Sequence, residues 1–93
     1  MISSIKSKAL AKAWEKNDVS GIRPDWLRRV EMILDALDAA HAPQDMNLPG
    51  LNFHPLKGEM EGMFSVLVSR NWRIVFRIRD GDAHDVDLVD YHD

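Results

Sequence analysis

His54, Lys57, Arg73, Tyr91 and His92 are side chains that can move a proton, hold a phosphate or stack on a base, and all lie among the short apolar runs in the second half of the chain. In His54-Pro55-Leu56-Lys57-Gly58 an imidazole and an ammonium stand three residues apart, where Pro55 and Gly58 interrupt regular structure and leave both on a loop. Trp72, Ile74, Phe76 and Ile78 alternate with Arg73, Val75, Arg77 and Arg79, so the arginines share the sheet face opposite the aromatic and aliphatic row. Asp90-Tyr91-His92 brings a carboxylate, an aromatic platform and a second titratable ring. Such a set suits cleaving or binding a phosphodiester without a metal ion, and a small ribonuclease is the first hypothesis. Each residue also has a plainer reading. His54 suits a half-buried ring bonded to backbone, Lys57 a surface lysine, Arg77 and Arg79 a solvated strand face, and residues 90–92 a frayed terminus.

The elements that must position these groups follow from period and punctuation. Lys6 to Asn17 is rich in helix formers, with Leu10, Ala13 and Trp14 on one face. Asn17 to Gly21 reads as a loop. A second helix begins near Pro24 and runs to about Ala40, with Leu27, Val30, Leu34 and Leu37 as its stripe and Ile33 widening it. His41-Ala42-Pro43 ends it, and a connector leads to Gly50. From there the period changes to 2. Met63 to Val68, Trp72 to Arg79 and a run holding Val86 and Leu88 are strands, joined at Ser69-Arg70-Asn71 and at Asp80-Gly81. A further strand is expected near Phe53, and an extended N-terminal segment at one sheet edge. The fold class is α+β, two N-terminal helices packed on one face of a small antiparallel sheet, forming one domain over 1–93.

Composition narrows the function. Ninety-three residues, 45% apolar, suit one core. The absence of cysteine excludes disulfides and thiolate metal sites and fits a reducing, cytoplasmic setting. The N-terminus has no signal-peptide pattern and no apolar run of membrane-spanning length, so neither secretion nor membrane insertion is expected. The net charge of −3 hides an asymmetry. All 12 Lys and Arg and nine Asp and Glu lie in residues 1–79, while residues 80–93 hold six Asp and no basic residue. A cationic outer sheet face carrying Arg73, Arg77 and Arg79, with Arg70 in the adjoining turn, is therefore compatible with an acidic protein. His41, His54, His84 and His92 lack compact ligand spacing, and the C-terminal aspartates lack the order of a calcium loop, so no metal and no cofactor is expected. The aspartates read instead as turn residues and as charges that deter pairing at a sheet edge.

These residues together resemble the HigB branch of the RelE/ParE toxin superfamily. The resemblance rests on Met1-Ile2, the Leu34-to-Ala40 helix end, Leu56-Lys57-Gly58, Gly62 with Phe64-Ser65-Val66, Asn71-to-Phe76, and Val89-Asp90-Tyr91-His92. It implies a RelE-like fold, a ribosome-dependent endoribonuclease that cuts mRNA in the decoding site, and neutralisation by a HigA-type helix-turn-helix antitoxin. The family's catalytic positions match His54, Lys57, Arg73, Asp90, Tyr91 and His92. Many relatives are basic, and the acidic net charge departs from them.

The chemistry agrees with that inference. RNA supplies its own nucleophile, the 2′-hydroxyl, so the protein need only accept its proton, stabilise the phosphorane and protonate the departing 5′-oxygen. His54 or His92 serves as base or acid, and the sequence does not say which. Arg73 offers a planar fork to two phosphate oxygens, and Lys57 a point charge or a proton. Tyr91 stacks on a splayed base, and Asp90 orients His92 or the backbone. Arg70, Arg77 and Arg79 are candidate RNA contacts. The competing reading is a non-catalytic ParE-like poison that occupies DNA gyrase, which has no need of His54, Lys57, Arg73 and His92 together.

Overall fold

In the computed structural model, which describes residues 1–91, the change of period near residue 50 becomes a change from helices to strands. Helix α1 spans Lys8–Lys16. Ser7 starts it by accepting the Leu10 N–H at 3.2 Å, and Asn17 ends it in a left-handed conformation whose N–H returns to the Lys12 carbonyl. Helix α2 spans Leu27–Ala39, and Pro24–Trp26 forms a tighter 3₁₀ turn ahead of it. The expected helix start at Pro24 is therefore a lead-in turn, for which proline's fixed φ and missing N–H are suited. Val30, Ile33, Leu34 and Leu37 are the buried face of α2, the stripe expected from their spacing.

Four strands follow: β1 His54–Pro55, β2 Phe64–Ser69, β3 Trp72–Arg79 and β4 Asp82–Asp90. They form one antiparallel sheet in the order β1-β2-β3-β4. Asp80 and Gly81 both have positive φ, 53° and 79°, the combination a two-residue turn needs to match the strand twist. The strand expected near Phe53 is the two-residue β1. The expected N-terminal edge strand consists of parallel bridges from Ile2 to Ala83 and Ile5 to Val86, with the Met1 amine 3.3 Å from the Asp82 carboxylate.

The helices cover one sheet face. Leu10 of α1 and the α2 stripe meet Val66, Val68, Ile74, Phe76, Ala83 and Val86, all buried. Phe53 stacks on Phe64 with ring centroids 5.6 Å apart, and Phe64 lies 6.1 Å from Phe76. Trp72 packs against Trp26 at 5.6 Å where β3 begins.

The outer face differs from the open cationic surface that alternation alone suggests. Val75 is 1% exposed, because the chain passing from β1 to β2 lays Leu56 and Met63 over it, with Met60, Val89 and Tyr91 around them. A valine between two outward arginines needs apolar cover, and this second small core provides it. The charge on that face is also balanced. Arg77 Nε donates to Asp85 at 3.1 Å, and Asp87 pairs with Val75 across the strands. Asp85 takes a φ of 55° where the β3–β4 register shifts, a bulge that turns its carboxylate toward Arg77.

One clamp ties the helix layer to the connector. Arg29 of α2 donates through Nε to the Leu67 carbonyl at 2.7 Å and through Nη2 to the Gly50 carbonyl, while the Leu67 N–H donates to Leu51 at 2.7 Å. Arg29→Ala leaves two carbonyls without their charged donor. We expect a loss of about 1.5–3 kcal/mol in urea unfolding, and a loss below about 0.5 kcal/mol would show that water replaces the clamp. Among the described residues no helix is long and apolar enough to cross a membrane.

Candidate active site

The small core on the outer face is the floor of the site. His54, Pro55, Lys57 and Tyr91 line an open hollow of about 270 Å³. His54 enters from β1, held by pairing with Ser65 of β2. Lys57 follows at the extended residue before the 3₁₀ turn Gly58–Met60, and its side chain is exposed. Gly58 has a φ of 70°, which a side chain would strain, so the chain turns sharply just after the lysine. Tyr91 enters from beyond β4, fixed by its N–H donating to the Asn71 carbonyl at 2.8 Å and by packing on Leu56, Met63 and Val75.

Arg73 does not line the hollow but is joined to it through one oxygen atom. Its Nη1 donates to the Asn52 carbonyl at 3.3 Å and to the Ser65 hydroxyl at 3.1 Å. His54 Nδ1 lies 3.2 Å from the same Asn52 carbonyl. A carbonyl oxygen only accepts, so this bond puts a hydrogen on Nδ1 and leaves Nε2 of the neutral ring with its lone pair. The guanidinium and the imidazole thus each sit one hydrogen bond from a shared anchor. Both bonds of Arg73 use Nη1, one corner of a fork with five N–H donors.

The remaining candidates divide. Asp90 lies opposite Trp72 in the register, so strand alternation gives it the parity of Leu88, on the helix side, whereas Val89 and Tyr91 belong to the outer cluster. Arg77 is about one-third exposed and committed to Asp85. Arg79 is exposed and lies opposite Asp82. Arg70 is exposed in the β2–β3 turn with a φ of 53°. His92 lies outside the described residues. Among the described residues no group of His, Asp or Glu is clustered to hold a metal ion.

Asn52 and Ser65 are absent from the set that the sequence suggests. Asn52 contributes a main-chain carbonyl and Ser65 a fully buried hydroxyl, so neither announces itself as a titratable or cationic residue. The one available signal is a serine between Phe64 and Val66, at a position that alternation places on the outer face with Arg73.

The comparison with known proteins decides the family. The model of the HigB-like toxins, described as RelE-like toxins of type II toxin–antitoxin systems, matches residues 3–92. The chain belongs to this family. A relative from Proteus vulgaris, named Endoribonuclease HigB, is 39% identical over 92 residues, covering 99% of this chain and all of that protein. Toxin HigB-1 of Vibrio cholerae serotype O1 is 39% identical over 51 residues, 54% of each chain. The toxin's α+β architecture, two helices against an antiparallel sheet, agrees with the RelE-like fold. As a type II toxin it is one half of a pair whose other half is an antitoxin.

Proposed function

We infer that the toxin is an endoribonuclease that cuts mRNA on the ribosome by transesterification at the hollow beside β1. The observation that carries this reading is the convergence of His54, Lys57 and Tyr91 on one hollow, with Arg73 tethered to His54 through the Asn52 carbonyl. Its full-length likeness to a protein named Endoribonuclease HigB supports it.

In this mechanism the 2′-hydroxyl of the nucleotide before the scissile bond gives its proton to His54 Nε2 and attacks phosphorus. Arg73 spreads its positive charge over the phosphorane oxygens, where charge develops most. Lys57 protonates the 5′-oxygen as the P–O5′ bond breaks. The products are a 2′,3′-cyclic phosphate and a 5′-hydroxyl, and the step needs no metal because the substrate carries its own nucleophile. Tyr91 stacks on the base displaced from its neighbours. By resemblance to the family, His92 and Asp90 support the proton transfers, and Arg70, Arg77 and Arg79 add positive charge toward RNA phosphates. The toxin acts in the cytoplasm, and a HigA-type helix-turn-helix antitoxin neutralises it.

Mapping of mRNA ends in bacteria that make the toxin without an antitoxin tests this reading. Wild-type protein should arrest growth and produce cuts within translated codons, and His54→Ala should reduce those cuts by about 10²-fold or more. Whole transcripts with collapsed DNA supercoiling would favour a gyrase poison instead.

A further inference from the structure

We propose that Ser65 and the Asn52 backbone are the positioning elements of the site, together fixing Arg73 and the tautomer of His54; this rests on the nuclease reading above. Three observations carry it. Ser65 is 0% exposed and is the one buried polar residue among the described core, with its hydroxyl 3.1 Å from Arg73 Nη1. Asn52 has a φ of 51°, a left-handed conformation that non-glycine residues adopt at a cost, and that conformation accompanies a carbonyl bonded to both Arg73 and His54. The connector that holds Asn52 is itself tied down, because Arg29 reaches Gly50 and Leu67 while Leu51 accepts from the Leu67 N–H.

The physical consequence is coupling. A guanidinium on a long side chain carries much rotamer freedom, and two fixed acceptors on one corner of the fork remove much of that freedom before substrate arrives. The same carbonyl keeps hydrogen on His54 Nδ1, so Nε2 is the nitrogen that meets the 2′-hydroxyl. Asn52 acts through its main chain and Ser65 through its hydroxyl. Neither touches RNA.

The test compares Ser65→Ala, Ser65→Thr, Asn52→Gly and Asn52→Val in the purified toxin, using cleavage of ribosome-bound mRNA together with nitrogen-15 NMR of the His54 ring in the RNA-free protein. Ser65→Ala should lower kcat about tenfold with KM changed less than about twofold, as expected for loss of one hydrogen bond to a charged group. Ser65→Thr keeps the hydroxyl and should restore most of kcat. Asn52→Gly keeps both the carbonyl and the positive φ, so it should cut like wild type. Asn52→Val resists that φ and should lower kcat about tenfold or more while reducing the Nδ1–H tautomer of His54. Equal kcat for Ser65→Ala and wild type would overturn the role of Ser65. Asn52→Gly failing as badly as Asn52→Val, or an unchanged tautomer in Asn52→Val, would overturn the role of the backbone. A wild-type toxin that cuts no RNA would sink the nuclease reading, whereas the NMR result would still decide whether Asn52 sets the ring.

Discussion

Arg73→Ala should lower the single-turnover rate of mRNA cleavage by about 10²- to 10³-fold, the range for removing one preorganised donor from a developing oxyanion. Arg73 leaves β3 on the outer face, and its Nη1 is fixed by Ser65 and Asn52 before any substrate binds. Removing it also strips the buried Ser65 hydroxyl of its charged partner, so about 1–3 kcal/mol of stability should go with it. The two effects separate by experiment, since urea unfolding reads the second and cleavage by the still-folded variant reads the first. Arg73→Lys preserves charge but replaces a planar fork with a point donor, and we expect it to recover only a small part of the rate. A folded Arg73→Ala protein that cuts at the wild-type rate would remove the guanidinium from the chemistry.

Phe76→Ala should cost about 3–5 kcal/mol, because a fully buried ring leaves a cavity that its neighbours cannot close. Phe76 lies directly opposite Phe64 in the β2–β3 register and belongs to the core beneath the helices. Against a total stability of about 5–15 kcal/mol for a typical domain, such a loss removes a large share. The urea midpoint should fall with little change in slope. A cost below about 1 kcal/mol would mean that the α2 stripe and β3 do not share one core. The variant also gives a useful contrast with Arg73→Ala: it should abolish growth arrest by lowering the amount of folded toxin, whereas Arg73→Ala should do so with folded toxin present.

The period of the apolar residues carried most of the fold. The α2 stripe is spaced for a helix, and Trp72, Ile74, Phe76 and Ile78 alternate without interruption, so burial requires the elements that form. Asp80-Gly81 named its own turn through its positive φ angles. Legibility failed where one residue type serves two ends. Val75 reads as an outward residue between arginines, and only long-range folding of Leu56 and Met63 over it reveals the second core. Within the site, His54, Lys57 and Tyr91 are visible because imidazole, ammonium and phenol are chemically distinctive, and the hollow they line is a fact of the fold. The Asn52 contribution is a peptide oxygen, which every residue possesses, so no residue type could have signalled it. Asp90 shows the limit of proximity in sequence: it adjoins Tyr91, yet strand alternation gives the two opposite parities.

The bridges from Ile2 to Ala83 and from Ile5 to Val86 join segments separated by nearly the whole described chain. During synthesis the first of these leaves the ribosome long before its partner exists, and contacts so distant in sequence form only after the intervening chain has been made. The border of the sheet therefore cannot close before β4 has been made. Until then the backbone at Ile2 and Ile5 lacks the parallel partners that it has in the folded toxin.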